Sequence, residues 1–313
     1  MKLVFLDAAT MGSTSLAPIA ALGELVLYPT STKEEARARV CDADVILTNK
    51  APVDGPLMDC APKLKMICVA ATGVNHIDLD AAGERGIKVR NVAGYSTDSV
   101  LQITWMHILS LLCHPAYYDT EVKDLTYSRS GVANDVTSPF VELAGKKYGV
   151  IGMGAIGHRV AEVASAFKMD VCYYSTSGTS HCSDYPSVPL DTLMSECDVI
   201  SVHAPLNART KGLVGERELS LMKPGAIIVN LGRGGIIDEA ALASVIDRGL
   251  IAGAGLDVYE NEPLPENNPL LHTSHPERLS FTPHLAWASV ESLDRLVLRM
   301  ADNIREIIQG AFE

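Results

Sequence analysis

The chain has 313 residues, of which 47% are apolar and 20% charged, a composition typical of a globular protein and not of a disordered one. This length is sufficient for two domains that each have their own core. The net charge of −12, without any basic run, argues against nucleic-acid binding.

The first ten residues, MKLVFLDAAT, do not resemble a signal peptide, because their apolar run of four residues ends at Asp7. No apolar stretch approaches the roughly 20 residues that span a bilayer, so we expect no membrane partner. The seven cysteines are odd in number and form no C-x-x-C pair. This usage predicts reduced thiols in a cytoplasmic protein. The histidines lack metal-ligand spacing, and we expect no metal site.

In the first third of the chain, short apolar runs alternate with amphipathic segments. Strands are predicted at residues 2–7, 24–28, 44–48, 65–70 and 88–92. Helical segments lie between them, for example Lys33–Val40 and Leu79–Gly86. A longer helix is predicted at residues 96–113, where Ser96 or Thr97 offers an N-terminal cap.

A second series of strands follows a polar stretch, residues 114–143, in which we predict no strand. These strands are predicted at residues 147–152, 170–174, 198–203, 226–230, 252–256 and 278–282. The last predicted element is an amphipathic helix from Val290 to Phe312. Strands that alternate with helices build parallel sheets with both faces covered. Two such series, separated by a long helix, predict two α/β domains.

The segment GVIGMGAIGHRVAEVASAF, residues 149–167, carries the clearest local motif. Gly152, Gly154 and Gly157 spell G-x-G-x-x-G between a predicted strand and a predicted helix, which is the context of a dinucleotide-binding loop. The three glycines permit a tight turn, close approach of a pyrophosphate, and packing of the helix on the strand. The helix N-terminus then faces the phosphates. This context favours a coenzyme loop over a plain glycine-rich turn.

The choice between NAD(H) and NADP(H) depends on the residue that ends the next strand. A carboxylate at this position normally binds the ribose hydroxyls of NAD, but this chain has Ser175. The residues that follow, Thr176, Ser177 and Gly178, include no arginine to bind a 2′-phosphate. Their hydroxyl groups, with His181 nearby, offer weaker phosphate ligands. The sequence slightly favours NADP(H), and a solvated turn that accepts NAD(H) is the alternative.

Three polar residues follow the last three predicted strands: Arg233 in NLGRGGIIDEA, Glu262 in GLDVYENEPL and His284 in SFTPHLAWAS. Ligands of a doubly wound sheet bind beyond the carboxyl ends of its strands, so we expect these side chains to converge. A guanidinium flanked by glycines suits a substrate carboxylate. A histidine beside a carboxylate suits proton transfer near neutral pH. With the nucleotide loop, the three residues predict a hydride-transfer site, although each alone could be an ordinary loop or structural residue.

These motifs resemble the D-isomer-specific 2-hydroxyacid dehydrogenases, and among them glycerate dehydrogenases and hydroxypyruvate reductases in particular. The resemblance covers nearly the whole chain in the family's order and spacing. It rests on LTNKAPVD (47–54), AATGVNHIDLDAAGERGI (70–87), NVAGYSTDSV (91–100), ELAGKKYGVIGMGAIG (142–157), HAPLNART (203–210), NLGRGGIIDE (230–239), GLDVYENEPL (255–264) and TPHLAWAS (282–289).

The resemblance implies roles for individual residues. Arg233 is expected to bind the substrate carboxylate and polarise the keto oxygen, His284 to deliver the proton, and Glu262 to pair with His284. Further substrate contacts are expected from the backbone of Gly73 and Val74, from Lys50, and from Trp287, for which simple packing is the alternative. The expected coenzyme contacts are Gly152, Gly154, Ala155, Ile156, Gly157, Ser175, Thr176, His203, Ala204, Pro205, Thr210 and Asp257, the last of these at the nicotinamide carboxamide.

The resemblance also implies an α/β fold with two doubly wound parallel sheets. Residues 1–99 and 287–313 are expected to form a flavodoxin-like substrate-binding domain, and residues 100–286 a Rossmann NAD(P)-binding domain. The long helix and the arm after it are expected to form a homodimer. The expected partner is a small 2-keto or 2-hydroxy acid.

Several rival functions share this scaffold. Phosphoglycerate dehydrogenases need cations for a phosphate, whereas the segment ILTNK offers only Lys50, so hydroxypyruvate and glyoxylate are the first candidates. Formate dehydrogenases carry Gln where this chain has Glu262. A dinucleotide-sensing corepressor can retain the catalytic residues, but we see no peptide-recruiting extension in this sequence.

Overall fold

The computed structural model describes residues 1–310, which divide into two compact units. The first unit is Met1–Ser96 together with the segment that begins at Ala288, and the second is Thr97–Trp287. The sequence predicts domain boundaries after residues 99 and 286. Residues 311 and 312 of the predicted last helix, and residue 313 of the predicted first domain, lie outside the described residues.

Strands and helices alternate along both units. The strands are β1 (Lys2–Phe5), β2 (Glu24–Leu27), β3 (Val45–Thr48), β4 (Met66–Val69), β5 (Lys88–Arg90), β6 (Lys147–Ile151), β7 (Asp170–Tyr174), β8 (Val199–Val202), β9 (Ile227–Asn230), β10 (Gly253–Leu256) and β11 (Leu279–Phe281). The helices are α1 (Ala17–Ala20), α2 (Lys33–Arg39), α3 (Gly55–Asp59), α4 (Leu79–Glu84), α5 (Thr97–Cys113), α6 (Pro115–Lys123), α7 (Thr126–Ser130), α8 (Ala155–Ala166), α9 (Leu190–Glu196), α10 (Glu216–Leu221), α11 (Glu239–Asp247) and α12 (Val290–Ile308). Short 3-10 helices span Ala8–Met11, Pro269–His272 and Pro276–Arg278.

The first unit contains a parallel five-stranded sheet in the order β2-β1-β3-β4-β5. This is the flavodoxin-like order of a doubly wound fold. Every residue of β3 and β4 is buried, which explains why these strands are continuous apolar runs without alternation. Helix α12 returns to this unit, capped by the Ser289 side chain, and it buries Leu296, Met300 and Ile304.

The second unit contains a parallel six-stranded sheet in the order β11-β10-β9-β8-β6-β7. Beyond β7, the strand that would complete a Rossmann half is reduced to a single bridge between Tyr173 and Ser187. With that bridge counted, the strand order reverses between β6 and β8, where a Rossmann sheet binds its ligand. The predicted fold class, with two doubly wound parallel sheets, is confirmed.

The polar stretch after α5 contains the two short helices α6 and α7, neither of which has a buried residue. Apolar side chains on this arm are exposed, including Val136 and Phe140 at 72% and 65%. Without a buried face, the segment shows no apolar periodicity, which is why the sequence did not reveal its helices.

Within residues 1–310, no helix has the length and hydrophobicity needed to cross a membrane. All seven cysteines are free thiols. The Sγ atoms of Cys172 and Cys197 lie 3.6 Å apart.

Candidate active site

Three loops of the second unit leave its sheet side by side. Strands β9, β10 and β11 are parallel neighbours, and their last residues, Asn230, Leu256 and Phe281, are in register. Ligands of such a sheet bind beyond the carboxyl ends of the strands. The loops that begin there carry the predicted arginine, glutamate and histidine.

The loop after β9 presents Arg233 on a braced turn. The Asn230 side chain accepts a hydrogen bond from the Gly232 N–H at 3.0 Å and donates one to the Arg233 carbonyl oxygen at 2.9 Å. The guanidinium donates to the Gly232 carbonyl oxygen at 2.8 Å. In residues 1–310, no carboxylate lies within 4 Å of this partly exposed cation. Most N–H donors of the Arg233 guanidinium are therefore available to an anionic ligand.

The glycines beside this arginine are required because the chain packs on itself. A Cβ on Gly232 would lie 2.7 Å from the Ala204 carbonyl oxygen, and a Cβ on Gly234 would lie 1.8 Å from that of Tyr259. Gly232 therefore lets the loop lie on the segment after β8, and Gly234 lets it lie on the backbone that leads to the predicted glutamate.

Glu262 and His284 form a hydrogen bond of 2.7 Å between Oε2 and Nδ1. The Oε1 atom of Glu262 accepts the backbone N–H of Tyr259 at 3.1 Å, which orients the carboxylate. The side chains are 19% exposed for His284 and 30% for Glu262. A carboxylate at Nδ1 fixes the tautomer of an imidazole, so that Nε2 is the nitrogen that exchanges protons with a ligand.

The backbone of His284 is held in the left-handed region, with φ of 51°. Its N–H donates to the Thr282 carbonyl oxygen at 3.1 Å, and its carbonyl oxygen accepts the Trp287 indole N–H at 2.9 Å. Non-glycine residues adopt this conformation where their surroundings impose it, often at functional sites. Trp287 thus contacts the backbone of the predicted catalytic histidine.

Asp257, which directly follows β10, holds the same segment from the interior. Its Oδ1 atom accepts the Thr282 hydroxyl at 2.6 Å and the Leu285 N–H at 2.9 Å, and Oδ2 accepts the Ala286 N–H at 3.0 Å. The residue is buried, and this burial raises the pKa of the Asp257 carboxyl above its ordinary value, against the effect of the three hydrogen bonds. The contact to the nicotinamide carboxamide stays a prediction, and within the protein this carboxylate holds the residues on both sides of His284.

His107 of α5 extends this network and was missed by sequence reasoning. Its Nδ1 lies 2.8 Å from the Ser280 Oγ, and its Nε2 lies 3.0 Å from the Thr282 Oγ1. Because the Thr282 hydroxyl donates to Asp257, it accepts from Nε2–H, which defines the tautomer. Burial lowers the pKa of His107 to about 4, so the ring is neutral. A histidine within the apolar run WMHIL was the available signal.

The glycine motif adopts the turn that the sequence predicts. Gly152 has φ of 96°, and a Cβ there would lie 3.0 Å from the Ala204 backbone. A Cβ on Gly157 would lie 2.3 Å from the Gly152 carbonyl oxygen. A Cβ on Gly154, the N-cap of α8, would meet no protein atom within 4 Å. Two of the glycines therefore serve packing, and the third faces open space, as close approach of a ligand requires.

A cavity of about 310 Å³ lies beside this loop. Its lining residues are Gly152, Met153, Gly154, Tyr173, Ser175, Thr176, Ser177, Thr179, His181, His203, Pro205 and Asn207. Both ring nitrogens of His203 are buried without a hydrogen-bond partner in the described part of the chain. Burial lowers the pKa of His203 to about 3, so this imidazole is neutral. A helix N-terminus, an orphaned imidazole and an open glycine backbone fit a nicotinamide dinucleotide.

The remaining predicted coenzyme residues, Thr210, Ala155 and Ile156, are not among the residues that line the cavity. Thr210 is fully buried, and its Oγ1 donates to the Pro205 carbonyl oxygen at 2.6 Å and accepts the Asn207 N–H at 2.8 Å. It therefore braces the loop after β8 and does not line the cavity. Ala155 begins α8, and Ile156 packs against the core of the second unit.

Arg209 is a cation that contacts the loop after β7, part of which lines this cavity, and the sequence interpretation overlooked it. Its guanidinium donates to the Ser177 carbonyl oxygen at 2.5 Å. In the sequence, the residues that directly follow β7 include no arginine. Arg209 reaches the same loop from the segment after β8, a proximity that only the fold reveals.

Three predicted substrate residues belong to the first unit. Lys50 follows β3, where the buried Asp7 carboxylate accepts its backbone N–H at 2.6 Å, together with those of Asn49 and Ala51. Gly73 and Val74 lie in the irregular segment after β4. Sequence reasoning did not identify Asp7 as the residue that shapes the Lys50 loop.

The side chains of His158, Cys182 and Asp184 lie together on the second unit, with their donor atoms within 4.8 Å. His158 Nε2 lies 2.8 Å from Asp184, and Nδ1 lies 3.3 Å from Glu162. Sequence spacing did not reveal this group, because two of its members come from the loop after β7. Contacts with two carboxylates account for the position of the histidine.

Comparisons with known proteins define the class of this chain. Residues 105–286 match the family model of the D-isomer specific 2-hydroxyacid dehydrogenase, NAD binding domain. The hydroxypyruvate reductase of Blautia hydrogenotrophica is 34% identical over 99% of this chain and 98% of its own length. The glycerate dehydrogenase of Methylorubrum extorquens is 33% identical over 99% and 96%. A solved acyclic imino acid reductase in complex with NADPH and D-Arg superimposes with a TM-score of 0.86, at 28% identity, over 99% of this chain and 98% of that one.

The chain therefore belongs to the D-isomer specific 2-hydroxyacid dehydrogenase family, which confirms the resemblance inferred from its motifs. It is an oxidoreductase with a nicotinamide dinucleotide as coenzyme.

Proposed function

We propose that this protein reduces a small unphosphorylated 2-keto acid, such as hydroxypyruvate or glyoxylate, to the D-2-hydroxy acid. The observation that carries the proposal is the 2.7 Å hydrogen bond between Glu262 and His284, on a loop adjacent to that of Arg233. This arrangement provides a proton donor, its orienting carboxylate and an anion-binding cation at one edge of the sheet.

Each of the three residues has a distinct task in the proposed reaction. The bound coenzyme supplies the hydride. Arg233 binds the substrate carboxylate and stabilises the negative charge that develops on the keto oxygen. His284 protonates that oxygen from Nε2, while Glu262 accepts the Nδ1 hydrogen and holds the ring in this tautomer. Oxidation of the hydroxy acid uses the same groups in reverse.

We assign substrate contacts to Lys50, to the backbone N–H groups of Gly73 and Val74, and to Trp287. The preference for an unphosphorylated acid rests on the loop after β3, where ILTNK offers one cation. A phosphoglycerate dehydrogenase would need more positive charge for its substrate. That activity remains the alternative within the family. We assign the first unit, with these contacts, as the substrate-binding domain, and the second as the NAD(P)-binding domain.

For the coenzyme, we favour NADP(H) over NAD(H). Ser175 stands where a carboxylate would bind the ribose of NAD and repel a 2′-phosphate. The pyrophosphate is assigned to the N-terminus of α8, beside Gly154. His203 and Pro205, which line the same cavity, and Ala204 between them are assigned to the coenzyme-binding segment.

We further propose a cytoplasmic homodimer. Seven free thiols are typical of a reducing compartment. The arm after α5 exposes several apolar side chains. This exposure supports an interface, because exposed apolar patches on proteins often mark sites of association.

The test is the initial rate of hydroxypyruvate and glyoxylate reduction, followed by the absorbance of NADPH or NADH in separate titrations. We expect turnover with both acids and a higher kcat/KM with NADPH. Turnover of phosphohydroxypyruvate alone would favour the phosphoglycerate alternative. The absence of turnover with any 2-keto acid would favour a dinucleotide-sensing regulatory protein on the same fold.

A further inference from the structure

We propose that Arg209 anchors the 2′-phosphate of NADP(H) and thereby sets the coenzyme specificity of this enzyme. The inference rests on the proposed coenzyme site in the second unit. It assigns phosphate recognition to the loop after β8, whereas the segment after β7, where such a residue is normally sought, contains no arginine.

The position of the Arg209 guanidinium supports this assignment. Arg209 reaches across to the loop after β7 and donates from NH1 to the Ser177 carbonyl oxygen at 2.5 Å. Ser175, Ser177 and Thr179 of that loop line the cavity beside the glycine motif. In a Rossmann fold, the end of this strand lies beside the 2′-position of the adenosine ribose. The cation is thus held where the extra phosphate of NADP(H) belongs.

The loop after β7 is shaped to admit the Arg209 side chain. Gly178 has φ of 84°, and a Cβ on it would lie 3.3 Å from Arg209 NH1. The Arg209 backbone is also fixed, because its N–H donates to the Asn207 Oδ1 at 2.9 Å. A mobile surface arginine would need neither feature.

The charge around Arg209 also favours a phosphate. In residues 1–310, no carboxylate lies within 4 Å of Arg209, and one of its five N–H donors is used by Ser177. The remaining donors match the oxygens of a phosphate, which a guanidinium binds in a bidentate manner. Ser175, Ser177 and Thr179 of the contacted loop line the cavity with hydroxyl groups, and none of these residues carries a negative charge that would repel the phosphate.

The experiment measures binding without turnover. The affinities of adenosine 2′,5′-bisphosphate and of ADP, which lacks the 2′-phosphate, are compared by calorimetry for the full-length wild type, Arg209→Gln and Arg209→Lys. The matched control is Arg248→Gln, which removes an equal charge from the same unit at a residue paired with Glu216.

We expect Arg209→Gln to weaken the 2′,5′-bisphosphate by about 10- to 100-fold, as loss of a charge-assisted contact to phosphate predicts, while ADP changes by less than about twofold. Arg209→Lys should retain part of the affinity, and Arg248→Gln should change neither ligand. Equal weakening of both ligands, or no weakening of either, would overturn the proposal. Because no substrate is present, a lack of keto-acid turnover would contradict the proposed reaction and leave this result standing.

Discussion

Single residues gain their chemistry here from the neighbours that orient them. His284 is a partly buried imidazole, and it becomes a candidate acid because Glu262 fixes its tautomer and Trp287 and Thr282 hold its backbone at φ of 51°. Asp257 ties the residues on both sides of it to the end of β10. The positioning of the proton donor is therefore a property of several side chains.

At Ser175, one substitution tests the missing carboxylate. Ser175→Asp restores the acid that normally binds the ribose of NAD and repels a 2′-phosphate. We expect the ratio of kcat/KM with NADPH to that with NADH to fall by about tenfold or more, as expected for like charges placed side by side at a binding site. Initial rates at fixed hydroxypyruvate give this ratio. Ser183→Asp, an exposed change farther along the same loop, is the control, and an unchanged ratio in Ser175→Asp would contradict the account.

His107 predicts a pH dependence of stability. Its pKa falls from 6.5 to about 4 on folding, so below pH 6.5 the unfolded chain binds a proton that the folded chain rejects. This contribution to the free energy of unfolding is intact above pH 6.5 and is lost as the pH falls toward 4. Between pH 7.5 and 5.0 the loss amounts to about 2 kcal/mol.

Urea unfolding at both pH values provides the measurement. We expect His107→Gln, which cannot titrate, to be less stable at pH 7.5 but to lose less stability on acidification than the wild type. His272→Gln, which removes an exposed imidazole, serves as the control. An identical pH dependence in the wild type and His107→Gln would show that the ring is not held neutral.

At the scale of elements, Gly234 of the Arg233 loop and Gly154 of the coenzyme loop differ in the space around their Cα atoms. A Cβ on Gly234 would lie 1.8 Å from the Tyr259 carbonyl oxygen, whereas a Cβ on Gly154 meets no protein atom within 4 Å. We therefore expect Gly234→Ala to destabilise the fold by about 1–3 kcal/mol, as overpacking does. Gly154→Ala should keep the melting temperature and weaken coenzyme binding, since its methyl group occupies space assigned to the pyrophosphate.

Melting curves and coenzyme titrations of both variants separate the two effects. Gly225→Ala, at a glycine with no protein atom within 4 Å of its Cβ and outside the cavity lining, is the matched control for Gly154→Ala. Unchanged coenzyme affinity in Gly154→Ala would contradict the assignment of the pyrophosphate to the α8 N-terminus.

Within residues 1–310, the sequence predicted all eleven strands in their order along the chain. The signal was clearest for fully buried strands such as β3 and β4, because parallel strands covered on both faces read as continuous apolar runs. The sequence also predicted that Arg233, Glu262 and His284 follow the ends of neighbouring strands, which is where the structure places them. It could not reveal Arg209, which approaches Ser177 from a distant segment, or His107, whose hydrogen bonds depend on how α5 packs against β11. The helices α6 and α7 escaped because they bury no residue.

At the scale of the whole molecule, the arm after α5 predicts association. Val136 and Phe140 are 72% and 65% exposed, which is costly for a surface that never meets a partner. We expect the wild type to sediment at about twice 33.5 kDa. Phe140→Glu should weaken association by about tenfold or more, since it places an unpaired charge in an apolar interface.

Analytical ultracentrifugation over a concentration series tests this prediction. Leu271→Glu makes the same change at another exposed apolar residue of the second unit and should leave the mass unchanged. A monomeric wild type, or a dimer equally sensitive to both substitutions, would contradict the proposed interface.

The central claim is that His284 delivers the proton to a 2-keto acid. The most direct measurement is kcat/KM for hydroxypyruvate reduction by His284→Ala and by the wild type, with coenzyme affinity measured in parallel. The account predicts a loss of about 10²- to 10⁴-fold, the usual contribution of general acid catalysis, with coenzyme affinity unchanged. Retention of more than about a tenth of the wild-type value would contradict it, because general acid catalysis contributes more than that.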